Sequence, residues 1–138
     1  MVNTINMQDM RQLNLFNKIT RVSTRFCFKY NEVIIFCVPK RLISKAVGKD
    51  GVNIKKMSEI FRRRIKVIPP PEGIRDAKSF IGAVVSPVTF KGLDINDDEI
   101  VMTAGNQSKA ALIGRNKRRL LEMKKIVSDY FGKDFRIV

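Results

Sequence analysis

One pattern governs what this chain can fold into: an order of elements that runs once, is broken by prolines, and runs again. Val47-Gly48 is matched 66 residues later by Ile113-Gly114, Ile54 by Leu120 and Met57 by Met123. Further on the offset becomes 70, so that Phe61-Arg62-Arg63-Arg64-Ile65-Lys66-Val67 falls on Phe131-Gly132-Lys133-Asp134-Phe135-Arg136-Ile137. Self-similarity at a nearly fixed period marks a duplicated supersecondary unit. The four-residue change predicts about one extra turn in the second copy's last helix, which keeps a buried face in phase.

The elements follow from apolar spacing. Residues 5–19, with Ile5, Met10, Leu13, Leu15, Phe16 and Ile19, read as a helix. Val22–Tyr30 and Glu32–Val38 read as strands about an Asn31-Glu32 turn. Pro39 suits the first turn of a helix over Lys40–Val47, whose apolar face is Leu42, Ile43, Ala46 and Val47. After Gly48-Lys49-Asp50-Gly51 a helix runs from Val52 to about Arg62, with Ile54, Met57, Ile60 and Phe61 on one face. Ile65–Ile68 reads as a strand. Pro69-Pro70-Pro71-Glu72-Gly73 continues neither a helix nor a central strand, and reads as a stiff linker. The order then restarts: a helix over Asp76–Val85, strands over Val88–Ile95 and Asp98–Thr103 about Asn96-Asp97, a short helix over Gln107–Ile113, the segment Gly114-Arg115-Asn116-Lys117, a longer helix to about Phe131, and a strand over Phe135–Val138. The expected fold is α+β: units 1–68 and 74–138 about a linker at 69–73, each a three-stranded sheet packed on three helices. Units of this size lie near the lower limit for an independent core.

Charge is concentrated at the glycine segments. The formal net charge is +14. Residues 40–67 hold ten basic and two acidic side chains, and residues 109–125 hold seven and one, so these two segments carry +8 and +6. Such focusing implies a polyanionic partner, of which nucleic acid is the commonest. An anionic membrane surface fits less well, since neither segment is one long amphipathic helix with bulky aromatic anchors. A solvated basic face is the plain alternative.

Other chemistries find little support. The longest apolar run, Val33–Val38, has six residues, far from the ~20 that span a bilayer. Met1–Met10 is polar and lacks a signal-peptide core, so a cytoplasmic protein is expected. Cys27 and Cys37 match no zinc spacing, and with no histidine present no metal or cofactor is expected. Two buried thiols in a reducing compartment are expected, with a cross-strand disulfide as the alternative. No Walker pattern occurs, and no side chain has recognisable catalytic company, so no enzyme activity is expected. Asp94, Asp97, Asp98 and Glu99 read as a solvated hairpin turn.

A glycine segment between two helices suits phosphate. Missing side chains admit a nucleic-acid backbone, and the following helix offers N–H groups and a favourable dipole. Lys49 adds charge in the first loop, with Lys45, Lys55 and Lys56 within about a turn, while Ile43, Val47 and Ile54 are suited to flooring a partly exposed groove for bases. A plain helix–helix turn is the bland reading of each loop.

The segment Ala46-Val47-Gly48-Lys49-Asp50-Gly51-Val52-Asn53-Ile54-Lys55 resembles a KH-domain core, and a helix and two strands ahead of it resemble the type II arrangement. Two such modules in tandem are similar to the archaeal NusA-like transcription termination/antitermination factors. That resemblance implies a single-stranded RNA partner, a role in transcription elongation or termination, and RNA polymerase as a candidate protein partner of a monomer. The residues expected to contact the RNA are Lys45, Gly48, Lys49, Asp50, Gly51, Asn53, Lys55, Lys56, Gly114, Arg115, Asn116, Lys117, Arg118 and Arg119. Two depart from the family pattern. Asp50 brings a negative charge and is expected to cap the next helix. Lys117 replaces the second glycine, so the second loop is expected to grip by charge more than by backbone. A ribosome-associated or RNA-processing KH protein, and a protein-binding adaptor of RNA polymerase, are the alternative functions.

Overall fold

The structure, a computed structural model, describes residues 7–138. Ile5 of the expected first helix lies outside the described residues. The chain divides into two compact units between Pro70 and Pro71.

The first unit runs α1 (Met7–Thr20), β1 (Phe26–Tyr30), β2 (Val33–Cys37), α2 (Ile43–Val47), α3 (Val52–Phe61) and β3 (Arg64–Ile68), with 3-10 turns at Lys40–Leu42 and Lys49–Gly51. Strand order is β1-β2-β3, antiparallel then parallel. Alternation along β2 sends Ile34 and Phe36 to one face. There they join buried Phe16, Val22, Val38, Ala46 and Met57. Phe16 and Phe36 stack with ring centroids 4.3 Å apart. Leu13, Ile43, Ile54 and Phe61 pack around this cluster.

The helix α1 ends because Thr20 folds back on it. Its hydroxyl donates to the Phe16 carbonyl at 2.7 Å and accepts the Val22 N–H at 3.1 Å, while Arg21 takes a left-handed φ of 62°. Val22 is thereby buried in a turn, and the strand expected to begin there begins at Phe26. Ile60 was expected on the buried face of α3 but is 54% exposed. Ile54, Met57 and Phe61 define that face, and Ile60 lies about 100° round the helix from Phe61.

Both cysteines are free thiols. Cys27 is opposite Phe36 and Cys37 opposite Phe26, so they project to opposite faces of the sheet, and the pleat keeps them from pairing. Only Cys37 is fully buried. Burial pushes the Cys27 thiol up to about 12, with the Asp9 charge and then Cys37 adding to the shift. An unfolded chain therefore releases this proton first as pH rises. The thiol's contribution to stability is full below about 9, the free-thiol value, and is lost as pH climbs toward about 12. Native Cys27 is expected to alkylate slowly at pH 8, and only as fast as a free thiol after unfolding.

The second unit runs α4 (Ala77–Val85), β4 (Gly92–Ile95), β5 (Glu99–Thr103), α5 (Lys109–Ile113), α6 (Arg118–Phe131) and β6 (Asp134–Ile137), with 3-10 turns at Ile74–Asp76 and Arg115–Lys117. Strand order β4-β5-β6 repeats the antiparallel-then-parallel pattern. The helix α6 has 14 residues where α3 has 10, the extra turn required by the change of offset. Met57 and Met123, matched in the repeat, are both buried. Phe80 of α4 rests against Tyr130 and Phe131 of α6, with centroids 4.9 and 6.0 Å away.

Two expectations fail here for local reasons. The strand placed from Val88 begins at Gly92, because the Val88 N–H still bonds the Val85 carbonyl at 3.0 Å in a turn off α4. The helix placed from Gln107 begins at Lys109, because Ser108 and Lys109 N–H groups close a turn on the Gly105 carbonyl.

Each unit ties its hairpin tip to the turn before its last strand through a basic residue at matched positions. Arg63 donates to the Glu32 carboxylate, which also pairs with Lys29 at 3.6 Å. These contacts, the Arg63 hydrogen bond foremost, hold the Glu32 carboxyl below the usual carboxylate range. Lys133 donates to the Asn96 and Asp97 carbonyls at 2.8 and 2.6 Å. Nearby, Arg136 and Glu99 pair at 3.1 Å, which holds the Arg136 guanidinium above its ordinary value.

Candidate nucleic-acid interface

Both glycine loops adopt one backbone form. Gly48 has φ 80° and ψ 166°, and Gly114 has 78° and 169°. Asp50 (56°, 26°) matches Asn116 (56°, 29°), and Gly51 (72°, 21°) matches Lys117 (61°, 22°). The hydrogen bonds repeat too. Gly48 N–H donates to Ser44 O at 3.0 Å and Gly114 N–H to Ala110 O at 2.9 Å. Gly51 N–H donates to Gly48 O at 3.1 Å and Lys117 N–H to Gly114 O at 3.2 Å. The N–H groups of Lys49, Asp50, Arg115 and Asn116 join none of these bonds.

The two glycines of a loop differ in purpose. A Cβ added at Gly48 would sit 2.9 Å from both Asn53 Nδ2 and Val52 Cγ1. One added at Gly114 would sit 2.9 Å from the Arg119 backbone nitrogen. These first glycines are required by the close approach of the next helix as well as by their φ. A Cβ at Gly51 meets nothing within 4 Å. Its position faces open space, which is why lysine fits at 117 with only the conformational cost of a left-handed residue, about 1 kcal/mol. The second loop therefore keeps the backbone conformation of the first, and Lys117 adds a cation to it. Lys117→Gly is expected to stabilise the second unit by about 1 kcal/mol in urea denaturation.

Asp50 does not act as the expected cap. The N-cap of α3 is Gly51, and no side-chain cap hydrogen bond forms there. Asp50 instead takes the left-handed turn conformation that Asp and Asn tolerate best, as Asn116 does in the second loop. Asn53 serves the fold: its Nδ2 donates to the Lys45 carbonyl at 3.3 Å and pins α3 to the end of α2. Arg119, at the matching position, pairs with Glu122, a spacing of three residues that the sequence displays on one helix face.

The remaining candidates are on the surface. Lys45, Lys49, Lys55 and Lys56 are exposed around the first loop, and Arg115, Lys117 and Arg118 around the second. Ile43, Val47 and Ile54 are half-buried beside the first loop. Arg115, Asn116, Arg118 and Arg119 line a surface cleft of about 380 Å³, which the separate residues did not announce. Among the described residues, no helix is long and apolar enough to cross a membrane.

No protein-family model matches the chain. It is similar to archaeal proteins named probable transcription termination protein NusA. That of Methanococcus vannielii is 27% identical over 114 residues, 80% of this chain and 64% of the relative. That of Halococcus morrhuae is 20% identical over 128 residues, 91% and 90% of the two chains. That of Methanocaldococcus jannaschii is 27% identical over 81 residues, 59% of this chain and 43% of the relative. The chain thus spans less than two thirds of the Methanococcus and Methanocaldococcus proteins. The crystal structure of APE1850 shares the fold, with a TM-score of 0.67, 21% identity, and coverage of 97% of this chain and 99% of that one. The chain is an α+β protein of two three-stranded sheets whose sequence is similar to archaeal NusA-named proteins.

Proposed function

We propose that the chain is a pair of type II KH modules that binds single-stranded RNA and acts, without catalysis, as a cytoplasmic NusA-like factor in transcription elongation or termination. The observation that carries this reading is the duplicated loop: one backbone form, twice, between two helices and ringed by exposed cations. In each loop a glycine turn at a helix start stands beside exposed cations, a combination that suits a phosphate backbone. The half-buried Ile43, Val47 and Ile54 supply an apolar wall for bases beside the first. The names of the archaeal relatives support a transcriptional role.

A titration of a fluorescent single-stranded RNA tests it. With four to six phosphates contacted, the log–log salt slope is expected at about −3 to −4. Lys49→Ala is expected to flatten that slope by about 0.7, the share of one phosphate contact. Absent or salt-insensitive binding would exclude the reading. It would favour a polymerase adaptor, for which Val52 and Ile60, 53% and 54% exposed on α3, offer an apolar surface.

A further inference from the structure

The two loops share a backbone but not a charge. Between Gly48 and Asn53 the charges of Lys49 and Asp50 cancel. Between Gly114 and Arg119, Arg115, Lys117, Arg118 and Arg119 give +4. Three of these four are arginines, and all three line one cleft of about 380 Å³ with Asn116. The Arg119 guanidinium is held in place by Glu122, with both side chains largely buried.

We infer that this cleft is a site for a phosphate group bearing more than one charge, the 5′ phosphorylated end of an RNA or the triphosphate of a free nucleotide, while the first loop takes internal phosphodiesters. The inference rests on the RNA-binding reading and divides its labour. An internal phosphodiester carries one charge, which a single cation and backbone N–H groups balance. A terminal monophosphate carries about −1.5 to −2 at neutral pH, and each further phosphate adds to it. Guanidinium forks bind such groups two oxygens at a time, so Arg115 and Arg118 match several oxygens on adjacent phosphates, while Arg119, engaged by Glu122, lines the cleft beside them. Asn116 contributes to the same end: where the first loop has a carboxylate, the second has a neutral amide that does not repel an anion.

The test uses the full chain and three labelled RNAs of one sequence, ending in 5′-hydroxyl, 5′-monophosphate and 5′-triphosphate, with ATP as competitor. The expected result is at least tenfold tighter binding of the triphosphate than of the hydroxyl RNA, with the monophosphate between them. That preference should fall below twofold in the double variant Arg115→Ala, Arg118→Ala. Lys49→Ala should weaken all three RNAs by the same factor. ATP that displaces only the triphosphate advantage supports the site and extends it to free nucleotides. Three RNAs bound equally, with no effect of ATP, would overturn the inference and leave RNA binding standing. No RNA bound, but ATP bound with loss in the double variant, would keep the polyphosphate site and overturn the RNA reading. Binding of neither would overturn both.

Discussion

Gly114→Ala is expected to destabilise the second unit by about 3 kcal/mol, from two costs that add. Its φ of 78° and ψ of 169° lie in a region that is essentially glycine's alone. The new Cβ would also lie 2.9 Å from the Arg119 backbone nitrogen, which moves only if α6 moves. Gly48→Ala meets side-chain atoms of Asn53 and Val52 instead, and is expected to cost about 2 kcal/mol because those atoms can shift. Gly51→Ala has open space around it and only an unfavourable φ of 72°, so about 1 kcal/mol is expected. Urea denaturation of the three variants gives the ranking. A Gly51→Ala loss equal to that of Gly114→Ala would show that helix contact is not what constrains the first glycine.

Phe36→Ala is expected to cost the first unit about 3–5 kcal/mol. The ring is fully buried and stacked on Phe16, in the middle strand of a three-stranded sheet. Its removal leaves a cavity bounded by a rigid helix on one side and the sheet on the other, with little means of collapse. A measured loss below about 1 kcal/mol, typical of a surface change, would show that the cluster is not organised around this pair.

The order of elements was legible because it rests on periodicity, and periodicity was written twice. The extra turn of α6 follows from the two offsets alone. What was not legible rests on backbone conformation and on pairing across the fold. Nothing in a lysine marks a left-handed residue, so the sequence did not show that Lys117 takes the same φ/ψ as Gly51. Asp50 read as a cap because an acid before a helix usually is one; the same residue type also suits a left-handed turn, and that preference prevails here. The start of β1 was misplaced because Val22 is apolar and buried for a reason local to Thr20, and apolar spacing cannot separate a buried turn from a strand. Arg63 was counted among the charges of the first basic segment, yet it serves the Glu32 hairpin tip. Its partner is 31 residues away in sequence, beyond any local pattern.

The candidate site divides along the same line. Residue types and spacing located the exposed cations and the glycines. They did not show that Asn53 holds α3 to α2 or that three arginines share one cleft. Those are properties of side-chain direction, which the loop geometry sets.

In the proposed function, RNA runs along each of the two loop regions. A photocrosslinking map with thiouridine-containing single-stranded RNA tests it most directly. Crosslinks are expected to concentrate within residues 45–56 and 114–119. Crosslinks confined to the β4–β5 hairpin, or none at all at binding concentrations, would contradict it.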